Sequence, residues 1–211
     1  MNPTMLTHTH PSLASEAVKF TVRSARITDL PALIDLLCQL FSIETDFAIR
    51  PDRHARGLRL LLGAARRGHA HVVVAERRGE VVGMATVQTV VSTAEGARSG
   101  WIEDVVVRRD LRGTGIGTSL MAEIAHWART KGLVRMQLLA DRRNRPALTF
   151  YDQIGFQPTN MICLRAGQPE ETAARGHRRA HKETATTKFV DNSRPKKPRK
   201  ERRVSRGFRA G

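Results

Sequence analysis

A glycine-rich turn between an apolar strand and an amphipathic helix is the stretch of this sequence best suited to bind a ligand. The strand is predicted at residues 105–107, and the turn after it contains Gly113, Gly115 and Gly117. Alternate glycines leave the backbone N–H groups open to close approach by a ligand. The predicted helix adds unpaired N–H groups and a partial positive charge at its first turn. The stretch therefore predicts an anion site suited to phosphate or pyrophosphate.

Two common phosphate-binding loops do not match this turn. The nucleoside-triphosphate loop G-x-x-x-x-G-K-[ST] requires a lysine that the turn lacks. The dinucleotide fingerprint G-x-G-x-x-G requires a third glycine where Thr118 stands. The pattern present is R-x-x-G-x-G, formed by Arg112, Gly115 and Gly117, and it resembles the acetyl-CoA motif of the GNAT superfamily of N-acetyltransferases. For this motif alone, a glycine-rich turn without a ligand is the alternative.

A second motif lies farther along the chain and strengthens this resemblance. It reads N-x-x-A-x-x-F-Y-x-x-x-G-F and comprises Asn144, Ala147, Phe150, Tyr151, Gly155 and Phe156. Two independent motifs in the expected order are much harder to obtain by chance than either alone. The chain is therefore identified as a member of the GNAT superfamily over residues 18–165.

The resemblance implies a fold and a set of cofactor contacts. The expected fold is α/β, with a mixed, mostly antiparallel central sheet flanked by helices and splayed to form an acetyl-CoA cleft. The pantetheine is expected to pair with the backbone at Val105 and Val107, and Asn144 to contact the cofactor through its side chain. The pyrophosphate is expected on the backbone amides of one run of residues: Arg112, Gly113, Thr114, Gly115, Ile116, Gly117 and Thr118.

Acetyl transfer to an amine requires a base and an acid. An alkylamine with a pKa near ~10.4 is mostly protonated at neutral pH, so a group must accept its proton. Strand alternation predicts that Trp101, Glu103, Val105 and Val107 share one face and that Asp104 points to the other. Glu103 is therefore the predicted base, with a solvated carboxylate at a strand start as the alternative. Tyr151, the only tyrosine of the chain, matches the family residue that protonates the departing thiolate; core packing is its alternative role.

Acidic residues in the segments expected to border the acceptor suggest its charge. Glu44 and Asp46 lie between the first two predicted helices, Glu95 lies before the central strand, and Glu103 lies on it. Four carboxylates at one mouth favour a cationic acceptor, such as a small amine, a polyamine, an amino sugar or a basic peptide. Four separately solvated charges are the alternative.

The remaining pattern predicts the elements that position these residues. Strands are expected at 18–23, 71–75, 81–87, 134–140 and 161–164. Helices are expected after an N-cap at Thr28, at about 52–67, after the glycine turn and after Asn144. This order of elements is that of GNAT proteins.

Composition separates the catalytic region from the chain ends. The net charge is +16, and residues 166–211 contribute 14 Lys and Arg against 5 Asp and Glu. Residues 1–15 and 167–211 are predicted to be a disordered leader and a basic disordered tail. Cys38 and Cys163 lie in apolar stretches and are predicted to be buried free thiols, with no metal site. No secretory signal or membrane span is apparent, so a cytoplasmic location is expected.

Two functional hypotheses remain open. The first is an acetyl-CoA-dependent N-acetyltransferase that transfers acetyl directly to a primary amine, with Glu103 as base and Tyr151 as acid. The second is a GNAT module that binds acyl-CoA without turnover and is tethered to nucleic acid by weak, non-specific contacts of its tail. The oligomeric state is left open by the sequence, and a homodimer is compatible with it.

Overall fold

The computed structural model describes residues 19–44 and 46–166. Within them five strands form one sheet whose spatial order follows the chain. The strands are β1 (Thr21–Ser24), β2 (Ala70–Arg77), β3 (Glu80–Ser92), β4 (Ala97–Val107) and β5 (Met136–Leu138). Neighbours from β1 to β4 pair antiparallel, whereas β4 and β5 pair parallel. The mixed, mostly antiparallel sheet confirms the predicted fold class.

Four α-helices cover the two faces of this sheet. They are α1 (Leu30–Phe41), α2 (Pro51–Arg66), α3 (Ile116–Thr130) and α4 (Arg145–Gln153). One apolar cluster joins α1 and α2 to the sheet through buried residues such as Leu33, Leu58 and Val106. A second cluster joins α3 to the other face, and Phe150 of α4 packs against it. Burial of apolar surface on both faces accounts for the layered fold.

The hairpins of the sheet follow from local backbone chemistry and from pairing. Arg78 and Gly79 both have positive φ, the arrangement of a two-residue turn whose twist matches the flanking strands. The next hairpin is longer than the strand predicted at 81–87, because residues 88–92 also pair with β4. Cross-strand hydrogen bonds extend the strands beyond what hydrophobic alternation shows.

Three predictions made from local sequence are wrong. Asp29, not Thr28, closes the first turn before α1, since its Oδ2 accepts a hydrogen bond from the N–H of Arg26 at 2.7 Å. No strand forms at residues 161–164, where Met161 is 86% exposed. Cys163 in that segment is exposed and Cys38 is only partly buried, so neither is a buried thiol. An apolar run forms a strand only where a partner edge pairs with it.

The leader (1–15) and the tail (167–211) lie outside the described residues, so the predictions for them are not tested. None of the helices in 19–44 and 46–166 combines the length and apolar character that crossing a membrane requires. The same residues contain no group of three His, Cys, Asp or Glu side chains arranged to hold a metal ion.

Candidate active site

A gap opens along β4 where its pairing with β5 stops. The two strands pair only from Gly100 to Ile102, opposite Met136 to Leu138. Beyond Ile102, β4 continues to Val107 with strand pairing on the β3 side alone in the part of the chain that the structure describes. Unpaired backbone N–H and C=O groups at a strand edge can pair with an extended ligand. The predicted contacts Val105 and Val107 lie on this open stretch.

The glycine turn at the end of β4 leaves room for an anion. Gly113 and Gly115 have φ of +77° and +87°, and a Cβ added at either would meet no atom within 4 Å. Gly115 directly precedes α3, and its carbonyl accepts the N–H of Ser119. The N–H groups of Ile116, Gly117 and Thr118 therefore precede the first N–H donor of the helix ladder. These groups and the positive end of the helix dipole lie where the sequence predicts an anion site, and the binding of an anion there stays a prediction.

The side chains of this turn stabilise its shape. The Thr114 hydroxyl donates to the carbonyl of Leu111 at 2.7 Å, and Arg112 Nε donates to the carbonyl of Val107 at 3.1 Å. The side chain of Ile116 is buried in the core, so only its backbone faces the turn. A ligand that pairs with the Val107 carbonyl has to share it with Arg112 or displace that guanidinium.

Gly117 has a different role from the two preceding glycines. A Cβ at this position would lie 3.4 Å from Cζ of Phe150, an ordinary contact distance, so α4 packs directly against the first turn of α3 here. Phe150 precedes Tyr151 on α4, and their ring centroids are 5.3 Å apart. Phe150 therefore links the candidate acid, its neighbour on α4, to the packing at the start of α3.

Asn144 caps α4, as the sequence predicts. Its Oδ1 accepts a hydrogen bond from the N–H of Ala147 at 3.2 Å. Gly155, with φ of +91°, follows the C-terminal end of the same helix. The contact of Asn144 with the cofactor remains a prediction from the family resemblance.

A β-bulge in β4 changes which side chains share a face. Ala85 pairs with Val105 and Val87 pairs with Ile102, so Glu103 and Asp104 together lie opposite the single residue Thr86. One extra residue in a strand shifts the alternation of all residues after it.

The prediction that Trp101, Glu103, Val105 and Val107 share a face is therefore wrong. Val105 and Val107 pack with the α3 cluster, and so does Ile102, which is an odd number of positions away from both. Trp101 and Glu103 flank Ile102 and lie on the opposite face, that of α1 and α2. Val106, two positions after Asp104, belongs to the cluster on that face.

The bulge places the carboxylate of Asp104 opposite Thr86, on the face of the sheet that α1 and α2 cover. Its backbone N–H donates to Thr86 Oγ1 at 3.1 Å, and Thr86 Oγ1 lies 3.4 Å from Asp104 Oδ2. The pKa of Asp104 is raised to about 7, mainly by burial and also by the charges of Glu103 and Glu44, against the lowering effect of the hydrogen bond from Thr86. A carboxyl group with a pKa near neutral pH is a functional-site candidate.

Tyr151 lies within electrostatic reach of this carboxylate. Burial raises the pKa of Tyr151 to about 12, and the charges of Glu44 and Asp104 contribute to that shift. The phenol is therefore protonated throughout the neutral range and can donate a proton. Glu44, Asp104 and Tyr151 thus form one electrostatically coupled group.

Each of the other predicted acidic residues has a contact of its own. Glu103 is exposed, and its Oε2 accepts a hydrogen bond from Trp101 Nε1 at 2.8 Å. The pKa of Arg143 is raised mainly by its hydrogen bonds and ion pair with Asp141, and the charge of Asp46 adds to that shift. Glu95 lies in the turn before β4 and forms an ion pair with Arg135 at 3.3 Å. At ~3.3 Å per residue, about 25 Å of chain separates it from Glu103, so Glu95 does not join the other acids.

Sequence reasoning missed Asp104 and Thr86. Strand alternation puts Asp104 on the face opposite Glu103, because simple alternation does not account for the bulge. The adjacent pair Glu103 and Asp104, between two apolar runs, was the only signal that the alternation breaks there.

Comparison with known proteins identifies the family of this chain. Residues 31–156 match the "Acetyltransferase (GNAT) family". The aminoalkylphosphonate N-acetyltransferase of Salmonella typhimurium is 28% identical over 145 residues, which cover 69% of this chain and 90% of that protein. The glucosamine 6-phosphate N-acetyltransferase of Trypanosoma brucei brucei is 34% identical over 80 residues, 37% of this chain and 52% of that protein.

A solved structure shares the fold of this chain. A protein described as a transcriptional regulator from Bacillus halodurans superposes with a TM-score of 0.61 at 25% identity, covering 71% of this chain and all of that one. Because the family match spans more than half of the sequence, the chain belongs to the GNAT acetyltransferase family and is an N-acetyltransferase.

Proposed function

We propose that this protein transfers the acetyl group of acetyl-CoA to a cationic primary amine, with Asp104 as general base and Tyr151 as general acid. The observation that carries the proposal is the position of Asp104, which lies beside the open stretch of β4 within electrostatic reach of Tyr151 and Glu44. A base and an acid near one open strand edge are what amine acylation requires.

The residues around the cleft fit acetyl-CoA. The open edge of β4 at Val105 and Val107 offers backbone groups to an extended pantetheine arm. The space at Gly113 and Gly115 and the first N–H groups of α3 suit its pyrophosphate. When bound, acetyl-CoA supplies the acetyl group as a thioester. The contact of Phe150 at Gly117 and the cap at Asn144 would hold α4 beside it.

The two proton-bearing groups have complementary charge states at neutral pH. With a pKa of about 7, Asp104 is partly ionised and can take a proton from an ammonium group. With a pKa of about 12, Tyr151 keeps its proton and can donate it to the leaving sulfur. The pKa of a general base is best placed near the working pH, which favours Asp104 over a fully solvated carboxylate. Glu103 as base, the assignment from strand alternation, is the competing prediction.

The charge of the cleft favours a cationic acceptor. Glu44 and Glu103 both raise the pKa of Asp104, so three acidic groups lie close to one another on this face of β4. An ammonium group near them would be attracted, and it would favour the ionised form of Asp104. We infer that Glu44 and the exposed Glu103 attract the amine while Asp104 deprotonates it.

The names of two relatives point to acceptors of a different charge class from the cationic amine proposed here. An aminoalkylphosphonate and glucosamine 6-phosphate both carry an anionic group in addition to the amine. The same three acids would repel such a group in this chain. Acceptors matched in length but different in charge therefore separate the two classes.

The test is thiol release from acetyl-CoA with butylamine, 1,4-diaminobutane and 4-aminobutylphosphonate. We expect kcat/KM to be highest for the diamine and at least ~10-fold lower for the phosphonate, since one unfavourable charge contact of ~1.4 kcal/mol changes a rate constant tenfold. A preference for the phosphonate would overturn the acceptor class. Absence of thiol release with every amine would overturn the acetyl-CoA reaction itself.

Two further proposals concern the whole chain. The basic residues after 166 would give weak, salt-dependent contacts with nucleic acid. The protein is proposed to act in the cytoplasm.

A further inference from the structure

Thr86 is a buried polar side chain that lies directly opposite the bulge in β4. Its side chain is 0% exposed, and the register of β3 and β4 places it against Glu103 and Asp104. Its hydroxyl accepts a hydrogen bond from the Asp104 backbone N–H at 3.1 Å. The same hydroxyl donates its proton to Asp104 Oδ2, which lies 3.4 Å from the hydroxyl oxygen.

These two contacts use both hydrogen-bonding functions of one hydroxyl. A hydroxyl can accept and donate at once, whereas the methyl group of a valine can do neither. A bulge leaves an extra residue without its regular ladder partner, so its N–H needs another acceptor. Thr86 supplies that acceptor and also contacts the carboxylate of the same residue.

We propose that Thr86 is the positioning residue of Asp104, fixing both the bulged backbone and the carboxylate in the orientation that acetyl transfer uses. The proposal rests on the proposed base role of Asp104. It adds a residue on a neighbouring strand that would not contact the acceptor itself.

The groups facing Asp104 determine how Thr86 acts on its titration. Glu103 on the same strand and Glu44 after α1 both raise the pKa of Asp104. Tyr151 on α4 faces it as a neutral phenol in the neutral pH range. The hydrogen bond from Thr86 lowers the pKa of Asp104 and thereby opposes burial and the two neighbouring acids. Removing the hydroxyl should therefore make Asp104 harder to ionise.

The test compares the pH dependence of kcat/KM in two variants of the full-length protein. Thr86→Val removes the hydroxyl at nearly constant volume, and Thr86→Ser retains it. In Thr86→Val we expect the acidic limb of the profile to move up by about one pH unit, as loss of one hydrogen bond to a carboxylate predicts. Activity should then fall about ninefold at pH 6 but only about twofold at pH 8. Thr86→Ser should keep the limb of the unmodified protein.

Two outcomes would overturn the positioning role of Thr86, and a third would overturn the base role of Asp104. A uniform loss of activity at every pH in Thr86→Val would show a structural role only and would overturn the positioning role. If Thr86→Val does not fold, Thr86→Ala removes the same hydroxyl without an added methyl group, and an unshifted limb in that variant overturns the inference. If Asp104→Asn keeps the activity and profile of the unmodified protein, the proposed base is wrong, whatever Thr86 does.

Discussion

Replacing Asp104 by asparagine should stabilise the fold above neutral pH while it removes most of the activity. A carboxyl group whose pKa is higher in the folded than in the unfolded protein favours folding when it is protonated. That contribution is fully present below the unfolded pKa and is lost as pH rises through the folded pKa. Asparagine carries no titrating proton, so the variant should not lose this stability. Its amide oxygen can still accept from Thr86.

The size of the effect follows from the pKa of Asp104. Burial raises that pKa from 3.8 to about 7, which corresponds to roughly 4 kcal/mol at about 1.36 kcal/mol per pH unit. Part of this stabilisation by the protonated carboxyl group is already lost at pH 5, which lies above the unfolded pKa. Between pH 5 and pH 8 the unmodified protein should therefore lose about 3 kcal/mol relative to Asp104→Asn. The figure is an upper limit, because the side chain is only partly buried.

The assay is denaturant unfolding of both proteins at pH 5 and pH 8. Comparing the two differences cancels the titration of all other groups, provided that both transitions are two-state. Asp35→Asn is the matched control, because it removes an exposed carboxylate from α1. It should show no comparable pH-dependent gain. Equal changes in stability for the unmodified protein and Asp104→Asn would refute the buried-acid assignment.

Four further predictions address the rest of the molecule. Gly115→Val should abolish acetyl-CoA binding in calorimetry, because φ of +87° disfavours a branched side chain and the valine would fill the open space of the turn. The control Gly57→Ala, at an exposed position of α2, should bind acetyl-CoA normally, and its free energy of unfolding should rise by up to ~1 kcal/mol. Tyr151→Phe should lower kcat by ~10² or more with little change in acetyl-CoA affinity; an unchanged kcat would exclude its acid role. Burial lowers the pKa of His71, so the stability that its neutral form contributes is lost as pH falls below ~6.5. In His71→Phe the free energy of unfolding should therefore decrease less between about pH 7 and pH 5 than in the unmodified protein, and an equal decrease would contradict this. Deleting 167–211 should preserve turnover and abolish nucleic-acid binding that fades between ~50 and ~200 mM salt, and loss of turnover in a folded product would place the tail in the active site.

The sequence was sufficient to predict the local chemistry of the cleft. Glycine spacing predicted an open turn, because close backbone approach and positive φ both exclude most side chains at Gly113 and Gly115. Asn144 was recognised as a helix cap because capping depends on residues a few positions apart. Family resemblance supplied the mixed, mostly antiparallel sheet, which periodicity alone does not give.

Long-range pairing accounts for the predictions that failed. The bulge exists because Thr86 pairs across from two residues of β4, and no local pattern encodes that register. It reversed the faces of Val105 and Val107 relative to Glu103 and turned Asp104 into the stronger candidate base. The predicted strand at 161–164 failed for a related reason, since apolar residues form a strand only when an edge receives them.

The most direct test of the account is the pH dependence of acetyl transfer to 1,4-diaminobutane in the unmodified protein, Asp104→Asn and Glu103→Gln. We expect kcat/KM of the unmodified protein to fall about tenfold per pH unit below ~7, following protonation of Asp104. Asp104→Asn should lose 10²-fold or more, as expected for removal of a general base, and should lose this acidic limb. Glu103→Gln should retain the limb even if it binds the diamine more weakly. The opposite pattern, with the limb lost in Glu103→Gln and kept in Asp104→Asn, would contradict the account and return the base to Glu103.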